Sequence, residues 1–177
     1  PILFLPGDTF ANRMPDPVLQ QVEHFNNPNI TQNDAFKYVT RYFDRITRPE
    51  QILQTLPQAI QTMIDPADCG PACISLSQDV QGEVFDYPEE FFKEKVHTIR
   101  RPRPDDYQIK QAVEIIKKSK NPIIISGGGV FYSDAMKELS EFAKKHNIPT
   151  AQTVMGYSTM KKDDPYFLGA IGGFGGK

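Results

Sequence analysis

Between Asp105 and Val154 the spacing of apolar positions switches twice between helix and strand. Ile109, Ala112, Val113 and Ile116 recur at helical spacing. Pro122-Ile-Ile-Ile-Ser126 is a short continuous apolar run, broken by Gly127-Gly128-Gly129. Met136, Leu139, Phe142 and Ala143 then share one face of a helix that begins after Ser133, and Asn147 suits the left-handed residue that ends it. Thr150-Ala-Gln-Thr-Val154 follows as the next strand. Strands alternating with helices of this length predict a parallel sheet. Strands of such a sheet are buried on both faces, which suits the unbroken run Ile123–Ile125.

The earlier residues extend the pattern. Pro1–Leu5 reads as a buried strand ended by Pro6-Gly7-Asp8, Asn12–Pro17 as a loop, and Asn26-Asn-Pro-Asn29 as a turn, while Val18–Phe25 fits either element. Lys37–Ile46 is dense in β-branched and aromatic residues and predicts a strand, with a helix from Asn33 or Asp34 as the alternative. Thr47-Arg-Pro-Glu50 predicts a helix start in which Thr47 caps, Pro49 occupies the first turn and Glu50 completes a capping box. The stripe Ile52, Leu53, Leu56, Ile60, Ile64 follows, with Pro57 expected to kink or divide it. Pro71–Leu76 is a further strand, and Pro88–Lys93 is one helical turn. Lys95–Pro104 holds Arg100-Arg-Pro-Arg-Pro104 and reads as a linker, whose arginines are solvated rather than bound to nucleic acid. The organisation expected is 1–95, a linker over 96–104, and 105–177.

Composition narrows the function classes. The chain has 177 residues, 39% of them hydrophobic, and no run approaches the ~20 apolar residues of a membrane span. Its start lacks the basic flank and length of a signal peptide. A formal net charge of −2 gives no general attraction for nucleic acid. Cys69 and Cys73 are not spaced as a redox pair and have no second pair with which to bind zinc, so reduced thiols and a cytoplasmic setting are expected. His24, His97 and His146 are far apart in sequence and read as surface or hydrogen-bonded histidines. An opening inside an apolar strand and a close on Gly172-Gly-Phe-Gly-Gly176 suggest a piece of a longer protein.

Gly127, Gly128 and Gly129 are the candidate ligand-binding residues, since a glycine turn after a strand brings backbone N–H groups to a phosphate. Gly127 and Gly129 fit the dinucleotide fingerprint, but Tyr132 stands at its third glycine, and Thr150–Val154 carries no acidic residue for a ribose. A tight turn without ligand is the favoured reading. A non-catalytic nucleotide-binding module and a plain interaction fragment are the readings of other classes.

Gly70-Pro-Ala-Cys-Ile-Ser-Leu-Ser-Gln-Asp-Val80, Lys120-Asn-Pro-Ile-Ile-Ile-Ser-Gly-Gly-Gly-Val130, Ile148-Pro-Thr-Ala-Gln-Thr-Val-Met-Gly156 and Asp164-Pro-Tyr-Phe-Leu-Gly169 resemble the thiamine-diphosphate enzymes of the acetolactate synthase and pyruvate oxidase group. A narrower likeness rests on Asn29-Ile-Thr-Gln-Asn-Asp-Ala-Phe36, Arg41-Tyr-Phe-Asp-Arg-Ile-Thr-Arg-Pro-Glu-Gln51, Gln78-Asp-Val-Gln-Gly-Glu83 and Ile99-Arg-Arg-Pro-Arg-Pro-Asp105. These segments are similar to the hydrolases that open the ring of trihydroxycyclohexane-1,2-dione in myo-inositol degradation. Acetolactate synthase-like enzymes and decarboxylases of the same superfamily are the alternative.

The resemblance implies an α/β chain of two parallel-sheet Rossmann-like units, both incomplete: the end of a pyrimidine-binding domain and the start of a central domain. It implies thiamine diphosphate and Mg2+ in the full-length protein, a small cyclic diketone as substrate, and a homo-oligomer without nucleic-acid or membrane partners. The cofactor would supply the electron sink for breaking the C–C bond beside the ketone, and the protein would supply placement and proton control. The family's activating glutamate falls before Pro1, and its Gly-Asp-Gly metal motif is absent, Gly7-Asp8 being followed by Thr9. No catalytic or metal residue is therefore carried over, and no cofactor is expected to bind this stretch alone. Gln20 and Gln21 fall near a family glutamine that faces the active site, and Gln21 is the further cofactor-binding candidate. Ile2, Phe4, Phe167 and Ile171 are expected at uncovered faces that favour self-association.

Overall fold

The computed structural model describes residues 2–14, 26–173 and 175. It has two compact units, residues 1–100 and 101–177, each with its own parallel sheet.

In the first unit, β1 (Leu3–Phe4), β2 (Gly7–Asp8) and β3 (Tyr42–Ile46) all pair parallel with β4 (Ala72–Ser77). The strand expected to end at Leu5 resumes after Pro6, which has no N–H to give to a ladder but whose carbonyl accepts from Leu76 N–H at 2.9 Å. Pro1–Leu5 is also less buried than expected, since Ile2, Phe4 and Leu5 are exposed.

Tyr42, Asp44 and Ile46 of β3 alternate with Phe43 and Arg45. The helix α1 (Ile52–Ile64) covers the Ile46 side, where Ala59, Ala72, Ile74 and Val80 form the buried core with Leu56 and Met63 against it. Pro57 does not divide α1, which runs unbroken from Ile52 to Ile64 with contacts to β3 and β4 on both sides of the proline. The expected strand over Lys37–Ile46 is corrected at its start: Gln32–Tyr38 is a 3-10 helix capped by Thr31, and only Tyr42–Ile46 is strand. Local hydrogen bonding wins there, because Asp34 and Thr31 complete a reciprocal cap that β-propensity does not register. The cap expected at Thr47 is corrected too. Gln51 Oε1 accepts from Thr47 N–H at 2.6 Å and Arg48 N–H at 3.0 Å, so Gln51 closes this turn rather than Thr47 and Glu50.

In the second unit, α2 (Asp106–Lys118) is capped by Asp105, whose Oδ1 accepts from Gln108 N–H at 2.9 Å. β5 (Ile124–Ser126), β6 (Thr150–Gln152) and β7 (Phe167–Ala170) form a parallel sheet in that order. Between β5 and β6 run a short helix α3 (Gly128–Tyr132) and α4 (Met136–His146). Asn147 ends α4 at φ 54°, the expected left-handed cap. β7 extends the sheet through a bulge at Leu168, and Gly169 takes φ +104° to rejoin the register. The expectation that Ile123–Ile125 is buried does not hold. Ile123 is 54% and Ile125 58% exposed, and only Ser126 of this strand is fully buried. Among the described residues, β5 pairs on one side only, with β6. Ile109, Val113 and Ile116 of α2 are likewise exposed, so the helical stripe is real but uncovered. Ile2, Phe4 and Ile171 lie exposed, whereas Phe167 is half-buried in β7.

Candidate functional site

In parallel sheets the open end for ligands is where the strands' carboxyl ends and their following loops gather. In the first unit, this end carries a cleft of about 610 Å³ lined by Asn12, Thr47, Arg48, Asp79, Glu83 and Phe85 among others. Asn12 follows β2, Thr47 and Arg48 follow β3, and Asp79 follows β4, so three loops meet there because their strands are adjacent. Asp79 joins two of them. Its Oδ1 accepts from Ala11 N–H at 2.8 Å and its Oδ2 from Asn12 N–H at 3.0 Å.

Beneath the cleft, the sheet face opposite α1 is polar and closed. Asp8 is 1% exposed. Its carboxylate accepts from Ser75 Oγ, from Arg45 Nε at 2.6 Å and from Thr9 N–H at 2.8 Å. The Arg45 guanidinium also donates to Thr31 Oγ1 at 2.6 Å and lies 3.2 Å from Asp34. Asn33 donates to Gly7 O at 2.7 Å and Ser75 Oγ at 2.8 Å, tying the 3-10 helix Gln32–Tyr38 to β2 and β4. Burial by itself would raise the Asp8 pKa, but the Ser75 and Arg45 hydrogen bonds outweigh it and hold the carboxyl below its ordinary range. Burial would likewise lower the Arg45 pKa, and the two carboxylates push it up instead. Burial pushes the Cys73 thiol up, with the Asp8 charge adding to it. Cys73 is therefore an inert packed thiol and not a nucleophile.

In the second unit, Gly127 caps α3, and Gly128 and Gly129 open it. None of the three needs to be glycine for its backbone angle, and a Cβ on Gly129 would meet nothing within 4 Å. The tight-turn reading therefore lacks its steric reason at Gly129, where the chain presents bare backbone. Gly156, by contrast, is a glycine that packing requires. A Cβ there would fall 2.3 Å from Ser126 O, because the 3-10 turn Val154–Gly156 presses on the end of β5. Ser126 and Thr159 share a buried hydroxyl pair at 2.7 Å under that contact. Replacing Gly129 with Ala should leave the second unit as stable or stabilise it by about 0.5–1 kcal/mol, since the position is helical and open. Thermal unfolding would show this, and a loss of more than 1 kcal/mol would contradict it.

Gln20, Gln21 and His24 lie outside the described residues. His97 is exposed, and His146 packs against Phe142 with the rings tilted at 46° and their centroids 4.5 Å apart at the end of α4. The candidate glycines and the cleft lie in different units. Sequence reasoning missed Asp79, Asp8 and Arg45. No local signal marks Asp79, because its partners Ala11 and Asn12 lie 68 and 67 residues away in sequence.

Residues 109–177 match the family "Thiamine pyrophosphate enzyme, central domain". Over 172 residues, 97% of this chain, the sequence is 53% identical to a 3D-(3,5/4)-trihydroxycyclohexane-1,2-dione hydrolase of Clostridium botulinum. Proteins of the same description from Listeria monocytogenes and Geobacillus thermodenitrificans are 49% and 47% identical over the same length. The chain spans 27% of the length of each of these relatives. Among the described residues, no helix is long and apolar enough to cross a membrane.

Proposed function

We propose that this chain is part of a thiamine-diphosphate-dependent hydrolase that opens the ring of 3D-(3,5/4)-trihydroxycyclohexane-1,2-dione in inositol breakdown. The observation that carries the reading is identity of about one half to hydrolases of that name across both units, with 172 residues aligned. Residues 1–95 then correspond to the end of a pyrimidine-binding domain and 105–177 to the start of the central domain, with 96–104 as the connection. The cleft at the carboxyl end of β2, β3 and β4 is this chain's share of the substrate-binding surface. A cytoplasmic homo-oligomer using Mg2+ goes with the same reading.

On this reading the cofactor's diphosphate end is held by residues outside this stretch. No three His, Cys, Asp or Glu side chains among them converge as metal ligands. Asp8, of the near-motif Gly7-Asp8-Thr9, is engaged by Ser75 and Arg45 and is closed to solvent. No step of the reaction is therefore assigned through the cofactor by residues of this chain. Their part is to build the cleft wall and to hold it.

Two measurements test the proposal. The full-length protein with thiamine diphosphate and Mg2+ should convert the dione to an open-chain acid. The 177-residue stretch alone should give no micromolar isotherm with the same cofactor in calorimetry. A full-length protein that leaves the dione untouched defeats the reading, and a clear isotherm for the stretch alone defeats the assignment of the diphosphate site elsewhere.

A second reading, nucleotide binding at Gly127–Gly129, is favoured by the bare backbone at Gly129, which no local packing explains. Titration of the full-length protein with adenine nucleotides discriminates it. Binding that Gly129→Ala abolishes supports it, and no binding ends it.

A further inference from the structure

We propose that Asp79 is a positioning residue, whose carboxylate holds the loop Thr9–Met14 as a wall of the cleft and thereby sets affinity for the polyhydroxylated ring of the substrate. This rests on the functional reading above. The loop after β2 cannot hold itself in place by sheet pairing, because the ladder between β2 and β4 ends at Asp8 and Ser77, with Gln78 N–H reaching Asp8 O at 3.2 Å. Beyond that point, the N–H groups of Ala11 and Asn12 both go to Asp79. The turn is completed by Arg13 N–H to Phe10 O at 3.1 Å and by Met14 N–H to Asn12 Oδ1 at 2.8 Å.

Asp79 is also fixed from its own side. It opens the 3-10 turn Val80–Gly82, where Gly82 N–H donates to Asp79 O at 3.1 Å, and Val80 is buried in the core. The carboxylate is thus anchored to the core and reaches out to the loop. Asn12, one residue of that loop, and Asp79 itself line the cleft opposite Thr47 and Arg48. A ring bearing several hydroxyl groups needs donors and acceptors at fixed separations. Ala11 packs on the core and the Arg13 side chain reaches Asn29 Oδ1, but it is the two hydrogen bonds to Asp79 that fix the backbone at Asn12.

Asp79→Asn separates positioning from folding. It is isosteric, but one oxygen becomes an NH2, so either Ala11 or Asn12 N–H faces a donor. In the full-length protein, amide exchange over residues 9–14 should quicken, and KM for the dione should rise, each by about tenfold, with kcat within about threefold. A merely structural role would shrink the active fraction, lowering kcat and leaving KM in place. Unchanged KM, or unchanged exchange over 9–14, overturns the proposal. A wild-type protein inactive toward the dione would defeat the functional reading and the kinetic half with it, while the exchange result still decides whether Asp79 holds the loop.

Discussion

Gly156→Ala should open the second unit. The new Cβ would sit 2.3 Å from Ser126 O, 2.8 Å from Ser126 C and 3.0 Å from Gly127 Cα. All three are backbone atoms, so no side-chain rotation relieves the clash. The turn Val154–Gly156 would have to lift off β5. That movement strains the bond from Gly156 N–H to Thr153 O and the one from Thr159 Oγ1 to Gly156 O, which stabilise the turn from within. The Ser126–Thr159 hydroxyl pair lies in the same layer and would lose its geometry. The cost should reach the upper end of overpacking penalties, about 3 kcal/mol or more. Hydrogen exchange at β5 and β6 of the full-length protein is the readout. Protection equal to wild type would show that the turn can shift at little cost.

Arg45→Ala should damage the first unit comparably, through charge. It leaves Asp8 buried with its ion-pair partner gone, a change worth about 3–5 kcal/mol in buried pairs. The pH dependence follows from the direction of the Asp8 shift. Its carboxyl lies below the ordinary range when folded and returns to about 3.9 when unfolded. Its contribution is therefore complete above about pH 5 and is lost as pH falls through the unfolded value toward the folded one. Without Arg45 one of the groups that lower the Asp8 carboxyl is lost and its pKa moves up toward the unfolded value, so acidification should cost the variant less stability than the wild type between pH 6 and about pH 4. Denaturation midpoints at the two pH values, for both proteins, check this. Parallel losses would mean that Arg45 does not control Asp8.

The elements that sequence made legible are those set by local spacing. The stripe of α4 ends where Asn147 can turn left-handed, and β4 is an apolar run between a proline and a polar turn; both lie where the spacing placed them. What spacing could not reveal is which partner covers a face. Ile123 and Ile125 have the composition of a buried parallel strand and stand exposed, because burial depends on a neighbouring element and not on the strand. The reverse error hid the polar network. Arg45, Ser75 and Ser77 occupy alternate strand positions that ordinarily face water, yet Ser75 and Ser77 are buried, with the 3-10 helix Gln32–Tyr38 tied to this face through Asn33. Asp79 was illegible for a different reason: its two partners are 67 and 68 residues away, a distance over which no local pattern speaks.

The two-sided sheet of the first unit constrains how this stretch of sequence can drift. Toward α1 the requirement is volume, so Ile46, Ile74 and Leu56 belong to the class of positions where one aliphatic side chain replaces another at small cost. On the other side the requirement is direction. Asp8, Asn33, Arg45 and Ser75 each serve two or more partners, so exchanging any one of them leaves a neighbour unmatched unless a second exchange follows. Change on that face must therefore come in pairs or not at all. Lineages that diverge freely along α1 are expected to keep the same four residue types beneath the cleft.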